Sequence, residues 1–140
     1  MVTNAPDINA KTIRHIVSVP NHIRAWTRDA YYASGGHNAD VHVCDDYELV
    51  LRTFLTTRMV HIQRFGYILY FNNASSGNTQ WQRNTEIQRL VKYFRARYND
   101  AIHERFVDLG VDDYIWRPGG WLDWEIPNPA DTPIANYRFP

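Results

Sequence analysis

Ala39-Asp40-Val41-His42-Val43-Cys44-Asp45-Asp46-Tyr47-Glu48-Leu49-Val50-Leu51-Arg52-Thr53-Phe54-Leu55 changes period near its centre. Up to Cys44 the pattern alternates. Val41 and Val43 share one face of an extended chain, and Asp40, His42 and Cys44 share the other. Period two predicts a strand. From Tyr47 onward, Tyr47, Val50, Leu51, Phe54 and Leu55 fall at i, i+3, i+4, i+7 and i+8, which predicts an amphipathic helix. Asp45-x-x-Glu48 at the junction has the spacing of a capping box.

The same signals extend in both directions. Ile13 to Val19 is a β-rich run closed by Pro20. Asn21 can cap a helix carrying Ile23, Trp26, Ala30 and Tyr31, and Gly35-Gly36 would end it. Met59–Ile62 and Tyr67–Phe71 read as a hairpin around Gly66, followed by an Asn/Ser-rich loop over 72–78. Thr79 and Gln82 are placed to cap a long helix whose stripe is Ile87, Leu90, Val91, Phe94, Tyr98, Ile102 and Phe106. Gly110 ends it, and Asn99-Asp100 marks a point where it could kink or split. The expected fold is therefore α+β over residues 1–110: a small mixed sheet with flanking helices, in the order β-α-β-α-β-β-α. This order resembles a thioredoxin-like layout in topology alone, because the chain has no Cys-x-x-Cys. A ferredoxin-like or other α+β sandwich is the alternative.

The chain has 140 residues, the size of one domain. At 44% hydrophobic and 14% aromatic it can build a core, which excludes a disordered chain. Lys+Arg and Asp+Glu are 15 each, so the formal charge is zero, and a strongly basic non-specific nucleic-acid binder is not expected. No apolar run approaches the roughly 18 residues of a membrane helix. Met1–Asp7 lacks the basic and apolar regions of a secretory signal peptide. Cys44 is the single cysteine, so no intramolecular disulfide forms. An intracellular (cytoplasmic) location, or one inside a virus particle, is the expectation. Of the 15 basic residues only Lys11 and Lys92 are lysine. Arginine, tryptophan and tyrosine together are the side chains favoured at interfaces.

Residues 111–140 have a different character. Pro118, Pro127, Pro129, Pro133 and Pro140, with Gly119-Gly120, oppose regular structure. The same stretch carries Trp116, Trp121, Trp124, Tyr137 and Phe139, candidate interface residues that should pack on the domain or on a neighbouring subunit. It reads as an extended C-terminal arm.

Chemical motifs are sparse. His37, Asp40, His42 and Cys44 offer imidazole, carboxylate and thiol groups that could hold zinc, as in a small metal-dependent hydrolase or related enzyme. Their spacing matches no standard zinc signature. Cys44 as a nucleophile would have His42 on its face and a helix start behind it, but Asp45 and Asp46 oppose a thiolate. Arg83, Arg89, Arg95, Arg97 and Arg105 on the long helix could contact phosphates, although they are spread around it and offset by acids. The phosphate-loop, dinucleotide, nucleophile-elbow and His-Glu-x-x-His patterns are all missing. Without a strong catalytic motif, the chain reads as a non-enzymatic structural or interaction subunit of a larger assembly, a virion component (capsid, head or tail) among the options. Its partners would be protein subunits in a homo- or hetero-oligomer, with no cofactor, no membrane insertion and nucleic acid as an alternative partner.

Overall fold

The change of period at Cys44–Asp45 is the start of a helix, but residues 39–44 before it form no strand. The computed structural model describes residues 7–14, 22–64, 66, 68 and 82–116. Within them the elements are a 3-10 turn, Thr12–Arg14, and three helices: α1, Arg28–Ala33; α2, Asp45–Thr56; and α3, Asn84–Asp108. Among the described residues there is no strand, so the architecture is helical and the α+β expectation is overturned.

Two helices make the core. Tyr47 to Phe54 of α2 are all buried, which requires neighbours on nearly every side. α3 supplies one wall with Leu90, Val91, Phe94, Tyr98, Ile102 and Phe106, the stripe that helical spacing demands. The Phe54 and Phe106 rings meet with centroids 5.1 Å apart. Ile13 from the 3-10 turn, with Ala10, Val41 and Val43 from irregular segments, closes the other sides. Truncating a central ring such as Phe94, which has no exposure, is expected to cost about 3–5 kcal/mol.

The helix ends are set by local chemistry. Thr27 caps α1, its hydroxyl accepting from the Ala30 amide at 3.2 Å. α3 closes in a Schellman turn: Gly110 N–H donates to Val107 O and Val111 N–H to Phe106 O, both at 2.9 Å. Gly110 sits at φ 66°, the left-handed conformation this turn needs. α3 also runs unbroken through Asn99-Asp100. No kink forms there because Asn99 is buried and its side-chain oxygen accepts from Arg14 Nε at 3.0 Å.

The strand expectations fail for identifiable reasons. Over 39–44 the alternation of burial is real, with Val41 and Val43 buried and His42 exposed, but the backbone makes turns and bends and pairs with no ladder. Ile13 and Arg14 belong to the 3-10 turn, nucleated by Asn9, whose side-chain oxygen accepts from the Lys11 and Thr12 amides at 3.0 Å. Residues 15–19 lie outside the described residues. Residues 59–62 are irregular, with Val60 84% exposed and Ile62 73% exposed. Of their expected partner strand, only Ile68 is described, and it too is irregular and exposed. Thr79 is outside the described residues, and α3 begins after Arg83, with no side-chain cap.

Candidate functional site

The densest polar segment of the sequence folds around the N-terminus of α2. Gly35 and Gly36 both have positive φ, 79° and 64°. Their backbone is gripped from below by Arg52, which donates to the carbonyls of Ser34 and Gly36, the latter at 2.7 Å. Arg52 is held in turn by Glu48, with Nε to Oε1 at 2.7 Å and Nη2 to Oε2 at 2.5 Å. Tyr98 of α3 donates its hydroxyl to the same Oε1 at 2.7 Å. All three side chains are buried. A Cβ on Gly35 would lie 3.0 Å from Arg52 Nη1, a tight approach added to the strain of its left-handed φ. Glu48 is therefore not the second half of a capping box. It is the buried anion of a staple joining α2, α3 and the glycine loop.

Above the loop, Tyr31 fixes His37. The His37 backbone amide donates to the Tyr31 hydroxyl oxygen at 3.0 Å, and the hydroxyl stands 2.9 Å from Nδ1. The other ring nitrogen, Nε2, lies 3.8 Å from Asp45 Oδ2. Beside them Arg24 pairs with Asp46 at 2.6 Å. An open depression of about 330 Å³ lies here, lined by His22, Ile23, Arg24, Trp26, His37 and Asp46.

The four candidate metal ligands are not gathered. His37, Asp40 and His42 are exposed, whereas Cys44 is buried. Cys44 has φ 64°, a left-handed conformation incompatible with the extended strand on which the shared face with His42 depends. The thiol is pushed from the ordinary 9.0 up to about 12, by burial first and then by the Asp46 and Asp45 carboxylates, so it is a poor nucleophile. Among the described residues no group of three or more His, Cys, Asp or Glu is arranged to hold a metal ion.

The arginines of α3 do not form a stripe. Arg95 is buried and Arg97 exposed. Arg83 forms a bidentate pair with Glu86, both contacts at 2.7 Å. Arg105 turns to α2 and donates to the carbonyls of Phe54 at 3.3 Å and Thr57 at 3.4 Å.

The first part of the C-terminal arm packs on its own domain. Asp113 receives Arg14 in a bidentate pair, at 2.9 and 2.7 Å. Arg14 is 1% exposed and the Asp113 side chain 0%. Trp116 stacks on His103 of α3, with centroids 3.8 Å apart and planes 9° apart, and its indole N–H donates to Asp100 at 3.0 Å. Sequence reading identified Trp116 but not its seat. The only signal for Arg14 was a charge inside an apolar run. Trp121, Trp124, Tyr137 and Phe139 lie outside the described residues.

Apolar side chains remain outside. Ile23, Tyr32, Val60, Ile62, Ile68, Val107, Leu109, Val111 and Tyr114 are all exposed. Among the described residues no helix is long and apolar enough to cross a membrane. No family model, curated protein or solved structure matches the chain.

Proposed function

We propose that the chain is a non-enzymatic structural or interaction subunit of a larger assembly, with protein subunits as its partners. One observation carries this reading: the buried charges of Arg14, Asp113, Glu48 and Arg52 are engaged in internal pairs, while large apolar side chains stand exposed. Val107, Leu109, Val111 and Tyr114 cluster in sequence at the end of α3 and the start of the arm. Exposed apolar side chains concentrated in one region mark interaction surfaces. The chemistry at the α2 N-terminus supports the same conclusion. Its thiol is buried and protonated, and its carboxylates face Arg24 and His37.

Native mass spectrometry of the purified full chain tests the proposal. The expected result is an oligomer, or a chain held with a stoichiometric protein partner. Val107→Ser with Tyr114→Ser is expected to weaken that association and to leave stability within about 0.5 kcal/mol, as for exposed sites in general. A stable monomer overturns the proposal. A bound metal ion on that monomer would turn attention to His37, and bound nucleic acid to Arg97.

A further inference from the structure

We propose that residues 27–37, which carry α1, form a flap that opens from α2 as one cooperative unit while α2 and α3 stay folded. The flap is a device of this fold and does not depend on which partner the chain assembles with.

The segment is bonded to itself. The Tyr31 amide donates to Thr27 O at 3.0 Å, Ser34 to Ala30 O at 3.0 Å, Gly35 to Tyr32 O at 2.9 Å and Gly36 to Tyr31 O at 3.0 Å. The Thr27 hydroxyl accepts from the Ala30 amide, and the Tyr31 hydroxyl from that of His37. The Tyr31 ring also meets those of Tyr32 and His37, each with centroids 5.7 Å apart. Gly35 and Gly36, both left-handed, turn the chain back beneath the helix and bring His37 to Tyr31.

Its attachment to the rest of the molecule is different in kind. None of the six residues of α1 is buried, so the helix adds no side chain to the core. The segment is fastened by polar groups of a single helix. Arg52 donates to the carbonyls of Ser34 and Gly36, and the Ser34 hydroxyl stands 3.1 Å from that of Thr56. Asp45 lies 3.8 Å from His37. Just ahead of the segment, the Trp26 indole N–H donates to Thr53 Oγ1 at 2.9 Å. Among the described residues no hydrogen bond or ion pair ties 27–37 to α3.

A six-residue helix does not stand alone in water. Detachment from α2 and loss of α1 are therefore one event. The contacts that join α2 to α3, Phe54 on Phe106 and Tyr98 on Glu48, do not pass through the flap and survive its release. Segments with few buried apolar contacts open at a lower free energy than the core. Opening uncovers Arg52 and Thr53 on α2, both buried in the closed form, and removes Trp26 and His37 as walls of the depression.

The test is hydrogen exchange of the full chain by NMR, each rate expressed as protection relative to the free group. The Trp26 indole N–H and the amides of Tyr31, Ser34, Gly35 and Gly36 are expected to share one opening free energy, with protection at least about tenfold below that of the Leu51 and Phe94 amides. Trp26→Phe removes one fastening and keeps an apolar ring. Protection of the four amides is expected to fall together by about fivefold, the scale of one hydrogen bond, with that of Phe94 unchanged. Thr53→Val removes the same bond from the α2 side and should give the same pattern even where Trp26→Phe folds poorly. Protection of the segment equal to that of Phe94 overturns the proposal. So do graded values along the segment, unchanged protection in both variants, or a loss as large at Phe94 as at Gly36.

Discussion

Removing the Asp113 carboxylate should be among the most damaging single changes in the chain. The Arg14 guanidinium is fully enclosed, and Asp113 is the carboxylate it grips. Its remaining acceptors are neutral: Asn99 Oδ1 at 3.0 Å, Ala10 O at 2.8 Å and Asn99 O at 3.5 Å. Asp113→Asn preserves shape and one acceptor oxygen but leaves a buried cation without a counter-charge. Breaking such a pair from one side costs about 3–5 kcal/mol. For a chain of this length that corresponds to a fall in Tm of roughly 10–20 °C. Equilibrium urea unfolding followed by far-ultraviolet circular dichroism measures it, through the midpoint at unchanged slope. The paired replacement Arg14→Met with Asp113→Leu removes both charges together and is expected to recover most of the loss. A penalty below about 1 kcal/mol for Asp113→Asn would refute the reasoning, because it would mean that water reaches the guanidinium. Truncation after Gly110 removes the same carboxylate, so residues 1–110 are expected to be much less stable than the full chain.

Three further outcomes follow from the local geometry. Glu48→Gln should destabilise by about 3 kcal/mol or more, since it leaves Arg52 buried without its anion, and loss of circular dichroism on heating would show it. Cys44 should react with iodoacetamide at pH 8 about a thousandfold more slowly in the native chain than after unfolding, because a thiol raised from 9.0 to about 12 is ionised that much less. Native labelling within tenfold of the unfolded rate would contradict its burial. The sign of the accompanying stability change is fixed: the unfolded chain loses the thiol proton first, so stability falls as pH rises from about 9 toward about 12. Gly110→Ala should cost about 1–2 kcal/mol in the urea midpoint, from the left-handed backbone alone, because nothing lies within 4 Å of the added Cβ.

Helices were legible where period and core coincided. The Tyr47–Leu55 and Leu90–Phe106 patterns mark α2 and α3 because each buries a face against the other, and that contact is written into the spacing of apolar residues. The strands were misread because burial of alternate residues requires only an extended backbone with one wet side. Val41 and Val43 have that, and a strand needs in addition a hydrogen-bonded neighbour, which alternation does not encode. The metal candidates do not converge because the backbone over 39–44 turns and bends, with Cys44 left-handed and buried and His37, Asp40 and His42 exposed, none of which the spacing encodes. The Glu48–Arg52 pair has an i,i+4 spacing that normally signals an exposed ion pair, so nothing local revealed that both partners are buried. Asp113 was hidden by distance: 99 residues separate it from Arg14.

Arg105 has a consequence for how the molecule opens. The last turn of α2 leaves carbonyls that its own backbone cannot satisfy, and two in this region, at Phe54 and at Thr57 just beyond the helix, accept from this side chain of α3. Fraying of that turn is therefore not a private event of one helix. Opening it releases the arginine, and lifting the arginine uncaps the turn. The end of α2 and the adjoining stretch of α3 should exchange their amide protons as one cooperative unit, with a shared opening free energy rather than the graded values of independent helix ends.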